Sequence, residues 1–325
     1  MIGRRAPGIQ PNPNMILCIG TTPAVQRVMV FRKLALESVN RAATTIDGVA
    51  GKSVNVAKVL HALGEPVIAV GFLGGARGAY VRQVLEARGI ELDFVTVPEN
   101  TRQCTTVIDQ SAGTQTELVE EGRPVGPEFY EKLMRRIRRH VKSCRAVVMS
   151  GTITPGCPVS LYLECTRLAQ AAGAMPIVDA QGPALLEALK ARPALVKPNQ
   201  AELAATAGRE LKTEAAAVSA MRELCERGAE RVVVTAGKGP TIAFDGRNAW
   251  RIRGPRIAAV NPIGSGDAFA AALVWRLVRG DDLGESCRWA SASGAANALQ
   301  LMAGEVDRRD IDRLARQVRV RKIKT

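Results

Sequence analysis

From residue 15 onward, apolar and polar positions follow a repeating order. Short apolar runs recur as MILCIG (15–20), PVIAVGFLG (66–74), CTTVID (104–109), RAVVMSG (145–151), MPIVDA (175–180), ALVKPN (194–199) and RVVVTAG (231–237). Each has the length of a strand, and several close on glycine. Between most of them the apolar residues move to helical spacing, over 53–64, 76–89, 127–142, 158–173 and 213–228. Several of these stretches also end on Gly, the residue that takes the left-handed turn after a helix. Nearly continuous apolar strands separated by helices predict a parallel sheet covered on both faces. Residues 25–49 and 93–120 break the rhythm. There, short alternating stretches with no helix between them predict a small β-sheet laid against the main body as a lid.

Length and composition narrow the class. The 325 residues are 46% hydrophobic and 23% charged, as in a folded α/β unit and unlike a disordered or fibrous chain. No run of 18 apolar residues occurs, so no membrane helix is expected. Residues 1–14 form a Pro- and Gly-rich flexible leader without the apolar core of a signal peptide. Seven scattered cysteines without CxxC pairs fit reduced thiols in a cytoplasmic protein, and His61 and His140 are too few for a histidine metal centre. The net charge of +14 gathers partly in Arg4 and Arg5 and partly in residues 319–325, which read as a basic tail. Arg135–Lys142 reads as a solvated helix face. Nucleic acid would use such patches, but no aromatic residues interleave with them, so attraction of anionic metabolites, or simply a basic host proteome, is the expected reading.

Four segments could carry chemistry. In NPIGSGDAFAAALVWRLVRG (261–280), Gly264, Ser265 and Gly266 precede Asp267 at the start of a small-residue helix. Backbone N–H groups there can converge on an anion with the helix dipole behind them, and Asp267 can accept a proton from an attacking hydroxyl. An ordinary capped helix start would look the same. In GVAGKSVNVAKVLHALG (48–64), Gly51 permits close approach, Lys52 offers charge to a phosphate and Asn55 can bond hydroxyls. The GxxxxGK spacing of a P-loop is absent, and a capped amphipathic helix is the plain alternative. VKPNQAEL (196–203) sets Asn199 and Glu202 three residues apart, suited either to water-mediated Mg²⁺ or to a capping box. VVVTAGKGP (232–240) runs from a strand into a glycine turn of the kind nucleotide phosphates need. The absence of a GxSxG elbow, and of GxGxxG after the first strand, argues against an α/β-hydrolase and a typical dinucleotide enzyme.

Taken in order, these segments resemble the PfkB-type (ribokinase-like) carbohydrate kinases, in the branch holding 1-phosphofructokinase and tagatose-6-phosphate kinase. TTPAVQR (21–27) resembles NPA-x-D, AGKSVNVAKVLHALG (50–64) resembles GGKGINVARVLxxLG, and TRQC (101–104) is similar to TRxN. SGTITPG (150–156) is similar to SGSLPxG, DAQG (179–182) to DxSG, KPNQAEL (197–203) to KPNxxEL and NPIGSGDAF (261–269) to VGAGDxF. The resemblance covers about residues 15–305. It implies a three-layer αβα kinase domain over 15–318 with a central, mostly parallel sheet and the β lid, which would also make a homodimer. It implies ATP-dependent transfer, with Mg²⁺, to a sugar-phosphate hydroxyl, most like fructose 1-phosphate to fructose 1,6-bisphosphate. Tagatose 6-phosphate, fructose 6-phosphate or another sugar are the alternatives, and a sensor that has lost turnover is the reading from another class. Asp267 would be the base and Gly264, Ser265 and Gly266 the anion hole. Lys52, Arg41 and Arg102 would grip the acceptor's phosphate, while Gln26, Gly51 and Asn55 would contact its hydroxyls. Asn199 and Glu202 would organise the metal through water. Lys197, Thr235, Gly237 and Gly239 would lie near the nucleotide phosphates, with Asn297 bordering the adenine.

The sequence also departs from that pattern. Gln26 replaces an Asp, Ser53 a Gly, Cys104 an Asn and Gln181 a Ser, and Pro240 stands where a Gly belongs, with Gly239 one place early. Nearly all of these fall on the acceptor side.

Overall fold

The computed structural model describes residues 14–324. The leader expected over 1–14 lies outside them except for Asn14. The chain enters on β1 (Met15–Ile19), buried at every position, and passes into β2 (Ala24–Phe31) and β3 (Thr44–Ala50). α1 (Lys52–Ala62) follows, then β4 (Val67–Val70), β5 (Phe72–Gly74), α2 (Gly75–Ala87), β6 (Glu91–Leu92) and β7 (Val95–Val97). β8 (Arg102–Asp109) and β9 (Thr114–Val119) form a hairpin before α3 (Pro127–His140). Next come β10 (Cys144–Ser150), α4 (Leu161–Ala171), β11 (Met175–Asp179), α5 (Gly182–Leu189), β12 (Leu195–Val196), α6 (Gln200–Ala207) and α7 (Glu214–Glu226). β13 (Val232–Val234), β14 (Thr241–Phe244) and β15 (Ala249–Arg253) lead to α8 (Ser265–Leu277), α9 (Leu283–Ala298), α10 (Arg308–Ala315) and β16 (Arg319–Ile323).

Ten strands make one sheet in the order β16-β15-β14-β13-β12-β11-β10-β1-β4-β6, parallel from β13 to β6 and antiparallel from β13 to β16. Its pleat sends alternate residues to two cores. Ile16, Cys18, Ala146 and Val148 pack against α1, α2, α8, α9 and α10. Leu17, Ile19, Val147 and Met149 pack against α3 to α7. This is the three-layer αβα arrangement. Among the described residues no helix is long and apolar enough to cross a membrane. A second sheet, β3-β2-β8-β9, lies over the carboxyl end of the first. Its inner face, with Val28, Val30 and Ile108, rests on Leu301 and Met302.

Three expectations change. The run 66–74 is two strands, because Gly71 presses against Gly20, whose carbonyl oxygen leaves no room for a Cβ. Residues 95–97, assigned to the lid by their alternation, pair with β5 instead. The basic tail over 319–325 is largely strand: β16 pairs antiparallel with β15, and Val318 and Val320 pack on the core. Its Arg and Lys residues sit on an exposed sheet edge, where charge keeps other strands from pairing. Arg135, Arg138 and Arg139 do line a solvent face of α3, but His140 turns inward to Asp93, with 2.7 Å between Nε2 and Oδ2.

Candidate active site

In an open α/β sheet the loops leaving the carboxyl ends of the strands form the cleft. Here those loops follow β1, β10, β11 and β12, and the N-terminal ends of α1 and α8 point into the same space. Gly51 makes this possible at α1. Its φ is +109°, and a Cβ would come within 2.8 Å of Pro23 Cα and 2.9 Å of Thr22 O. α1 can therefore begin directly against the chain entering the lid. Ser53 fits here because its neighbour is Gly20, where any Cβ would overlap the Ser53 hydroxyl.

Gly264 takes φ +83° and caps α8 without a side chain. The amides of Ser265, Asp267 and Ala268 bond back to Pro262 O and Gly264 O at 2.9–3.1 Å. Among the described residues, the N–H groups of Gly264 and Gly266 have no acceptor. A Cβ at Gly266 would lie 3.9 Å from Lys197 Nζ, so that ammonium stands close to the glycine turn. Unengaged N–H groups at a helix start, with a cation nearby, can receive an anion.

Asp267 sits in the first turn of α8, 7% exposed. Its Oδ2 accepts a 2.7 Å hydrogen bond from Asn55 Nδ2, and its other oxygen has no intramolecular donor among the described residues. Burial pushes its pKa up to about 6. The nearby Asp179 charge adds to the rise, while Lys52, the Asn55 bond and Lys197 oppose it. The carboxylate is thus ionised at neutral pH yet basic enough to take a proton. Asn55 Oδ1 is buried without a partner, a free acceptor beside the carboxylate.

Asp179, at the end of β11, ties the cleft's cations together. Lys197 Nζ lies 3.1 Å from its Oδ2 and Lys52 Nζ 3.4 Å from its Oδ1. Burial alone would raise the Asp179 pKa, but the two ammonium groups hold it below the ordinary carboxylate value. Lys52 is in turn held charged, chiefly by Asp179, and its Nζ is 3.9 Å from Glu202 Oε1. The motif DAQG showed Asp179 in the sequence, but its partners stand 127 residues upstream and 18 downstream, and only the fold brings them together.

Asn199 and Glu202 form a reciprocal capping box at α6: Glu202 N donates to Asn199 Oδ1 (2.9 Å) and Asn199 N to Glu202 Oε2 (2.8 Å). Both uses of the spacing are compatible, because Glu202 Oε1 is left facing Lys52 and the cleft. These oxygens fit a hydrated divalent cation but do not enclose a bare one. Asn199 also bridges Thr235, and the turn through Gly237 and Gly239 lies beside it, with Gly239 N bonded to Ala236 O. A cavity of about 640 Å³ opens next to Glu202, lined also by Thr152, Gln181 and Leu186.

Other expected residues are placed differently. Asn297 is fully buried. Its amide donates to Ile263 O (2.9 Å) and its Oδ1 accepts from Gly304 N (2.7 Å), so it braces the glycine turn from behind and its side chain cannot border an adenine. Gln26 is buried in the lid and donates to Thr106 Oγ1 at 2.8 Å. Its register partner across β2 and β8 is Cys104, so two of the departures are one cross-strand neighbourhood. Arg102 binds Thr22 O at 3.0 and 3.2 Å and Glu120 O at 3.3 Å, clamping the lid to the loop after β1. Arg41 is exposed in the loop after β2 and bonds to none of the cleft residues.

Comparison with known proteins adds a second line. Residues 13–307 match the family described as pfkB family carbohydrate kinase. A tagatose-6-phosphate kinase of Staphylococcus epidermidis is 30% identical over 312 residues, 94% of this chain and 99% of that protein. A Thermotoga maritima structure described as a possible 1-phosphofructokinase superposes with TM-score 0.86 at 25% identity, covering 95% of this chain and 100% of that one. Escherichia coli phosphofructokinase-2, in complex with potassium, gives TM-score 0.85 at 26% identity, covering 93% and 97%.

Proposed function

We propose that this chain, which belongs to the pfkB family of carbohydrate kinases, transfers the terminal phosphoryl group of ATP to a hydroxyl of a ketohexose phosphate. The observation that carries the reading is Asp267 beside the two unengaged glycine amides and Lys197. Asp267 takes the proton of the acceptor hydroxyl as its oxygen bonds to the γ-phosphorus and the bond to the β-phosphate oxygen breaks, leaving ADP. The N–H groups of Gly264 and Gly266 and the Lys197 ammonium face the charge on the transferring group. Asn55 holds one carboxylate oxygen in place. Magnesium, held through water by Asn199 and Glu202, would supply charge neutralisation for the nucleotide. Thr235, Gly237 and Gly239 would line the nucleotide's phosphates.

A phosphorylated acceptor is supported by Lys52, which stays partly exposed and charged at the mouth of the cleft. Arg102 holds the lid over it, and tagatose 6-phosphate and fructose 1-phosphate are the first acceptors to test. Gln26 and Cys104 favour an acceptor that needs no carboxylate from the lid. Leu36 and Val39, in the connection between β2 and β3, are 87% and 82% exposed, and Leu118 and Val119 on the edge strand β9 are also uncovered, which supports a homodimer through the lid.

The test is ADP release across tagatose 6-phosphate, fructose 1-phosphate, fructose 6-phosphate and the free hexoses. The expected result is preference for one ketose phosphate over every free sugar by about 100-fold or more in kcat/KM. Turnover confined to unphosphorylated sugars would contradict the acceptor class, and none with any sugar would favour the sensor.

A further inference from the structure

Lys58 lies on the buried face of α1, one turn after Asn55, and takes no part in the reaction described above. Its side chain is 1% exposed, and a buried ammonium is tolerated only when paired and fully hydrogen-bonded. Here three N–H donors meet three acceptors: Val49 O at 3.1 Å, Ala303 O at 2.7 Å and Glu305 Oε1 at 2.9 Å. Burial draws its pKa down and the Glu305 carboxylate opposes this. Glu305 is shared with Arg88, 2.8 Å away at the end of α2.

The acceptors belong to two segments that matter for the cleft. Val49 is near the end of β3, the lid strand that runs into Gly51 and Lys52. Residues 303–305 press on the site from behind. A Cβ at Gly264 would meet Ala303 Cβ at 2.7 Å, and one at Gly304 would meet Asn55 Cα at 2.9 Å. Gly304 N also holds Asn297, the brace of the glycine turn. An apolar residue would fill the same space on α1, but it would join neither segment.

We propose that Lys58 is a positioning residue for phosphoryl transfer, fastening the root of the lid to the 303–305 loop so that Asn55, Asp267 and the glycine turn keep one frame. The proposal rests on Asp267 as the base, and its test separates the two. Lys58→Met removes the donors and the charge at similar length, and Lys58→Arg keeps the charge. In the full chain, with ATP and tagatose 6-phosphate, Lys58→Met is expected to lower kcat about 10- to 100-fold, the cost of a misplaced reacting group. Both KM values should stay within about threefold, and Lys58→Arg should recover most of the loss. A kcat within twofold of the parent, or a loss carried by KM, overturns the proposal.

Hydrogen exchange without substrates gives a second readout that no choice of acceptor affects. Amides of 261–270 and 299–306 should exchange about tenfold faster in Lys58→Met and return towards the parent rate in Lys58→Arg. Unchanged exchange overturns the proposal. If Lys58→Met does not fold, Glu305→Gln serves for both readouts, with changes of about 3- to 10-fold expected and unchanged exchange again decisive. Should Asp267→Asn keep its turnover, the base assignment fails while the exchange result still decides the role of Lys58.

Discussion

The carboxyl edge of the large sheet and the inner face of the small sheet border the same cleft, yet they are built differently. On the large sheet each charged group has a partner set by neighbouring loops: Asp179 lies between Lys52 and Lys197, and Asp267 against Asn55. The base, its glycines and the KPN segment match the family pattern there almost unchanged, while the turn before Pro240 does not. On the small sheet, Gln26 and Cys104 face each other where the pattern has Asp and Asn, and the Gln26 amide is engaged inside the lid. On the proposed reading, phosphoryl transfer and the grip of Lys52 on the acceptor's phosphate rest on groups packed within the main body, while the lid carries departures that bear on the rest of the acceptor.

That contrast can be broken or sharpened by experiment. Lys52→Ala should raise KM for a phosphorylated acceptor about 100-fold while leaving KM for ATP within about threefold. Equal changes in both would place Lys52 on the nucleotide side. The pH dependence should follow the raised pKa of Asp267. The base must be ionised, so kcat/KM should fall about tenfold per unit as pH drops below about 6. An acid limb near pH 4 would mean that burial does not tune this carboxylate. Gln26→Asp should shift the relative kcat/KM among ketose phosphates by about 3- to 10-fold and leave the ATP KM unchanged; an altered ATP KM would undo the division of labour between the sheets. Deleting residues 319–325 should lower the thermal midpoint by about 2–4 °C, because β16 covers the sheet edge, with turnover within twofold. An unchanged midpoint would return those residues to the status of a tail.

Much of this was visible in the chain itself. Full burial of MILCI and AVVM (146–149) follows from their continuous apolar character, and the two flanking layers follow from the helical spacing between strands. The glycine turn before Asp267 and the Asn199–Glu202 spacing were readable because they are local. Interactions between distant residues were not. Asn297 looked like a polar residue in a small-residue helix, and its acceptor at Ile263 and donor at Gly304 become neighbours only after folding. RVRKI at the end of the chain alternates weakly and carries charge where an exposed edge strand needs it, so charge concealed its pairing with β15. The break at Gly71 depends on the carbonyl of Gly20, fifty-one positions earlier.

The central claim is that Asp267, beside the amides of Gly264 and Gly266, deprotonates the acceptor. Its most direct test is single-turnover phosphoryl transfer by Asp267→Asn with ATP and the preferred ketose phosphate. The account predicts a fall of about 10³-fold or more in the transfer rate, with nucleotide affinity and thermal midpoint close to the parent. Transfer at more than a tenth of the parent rate in that folded variant would contradict it.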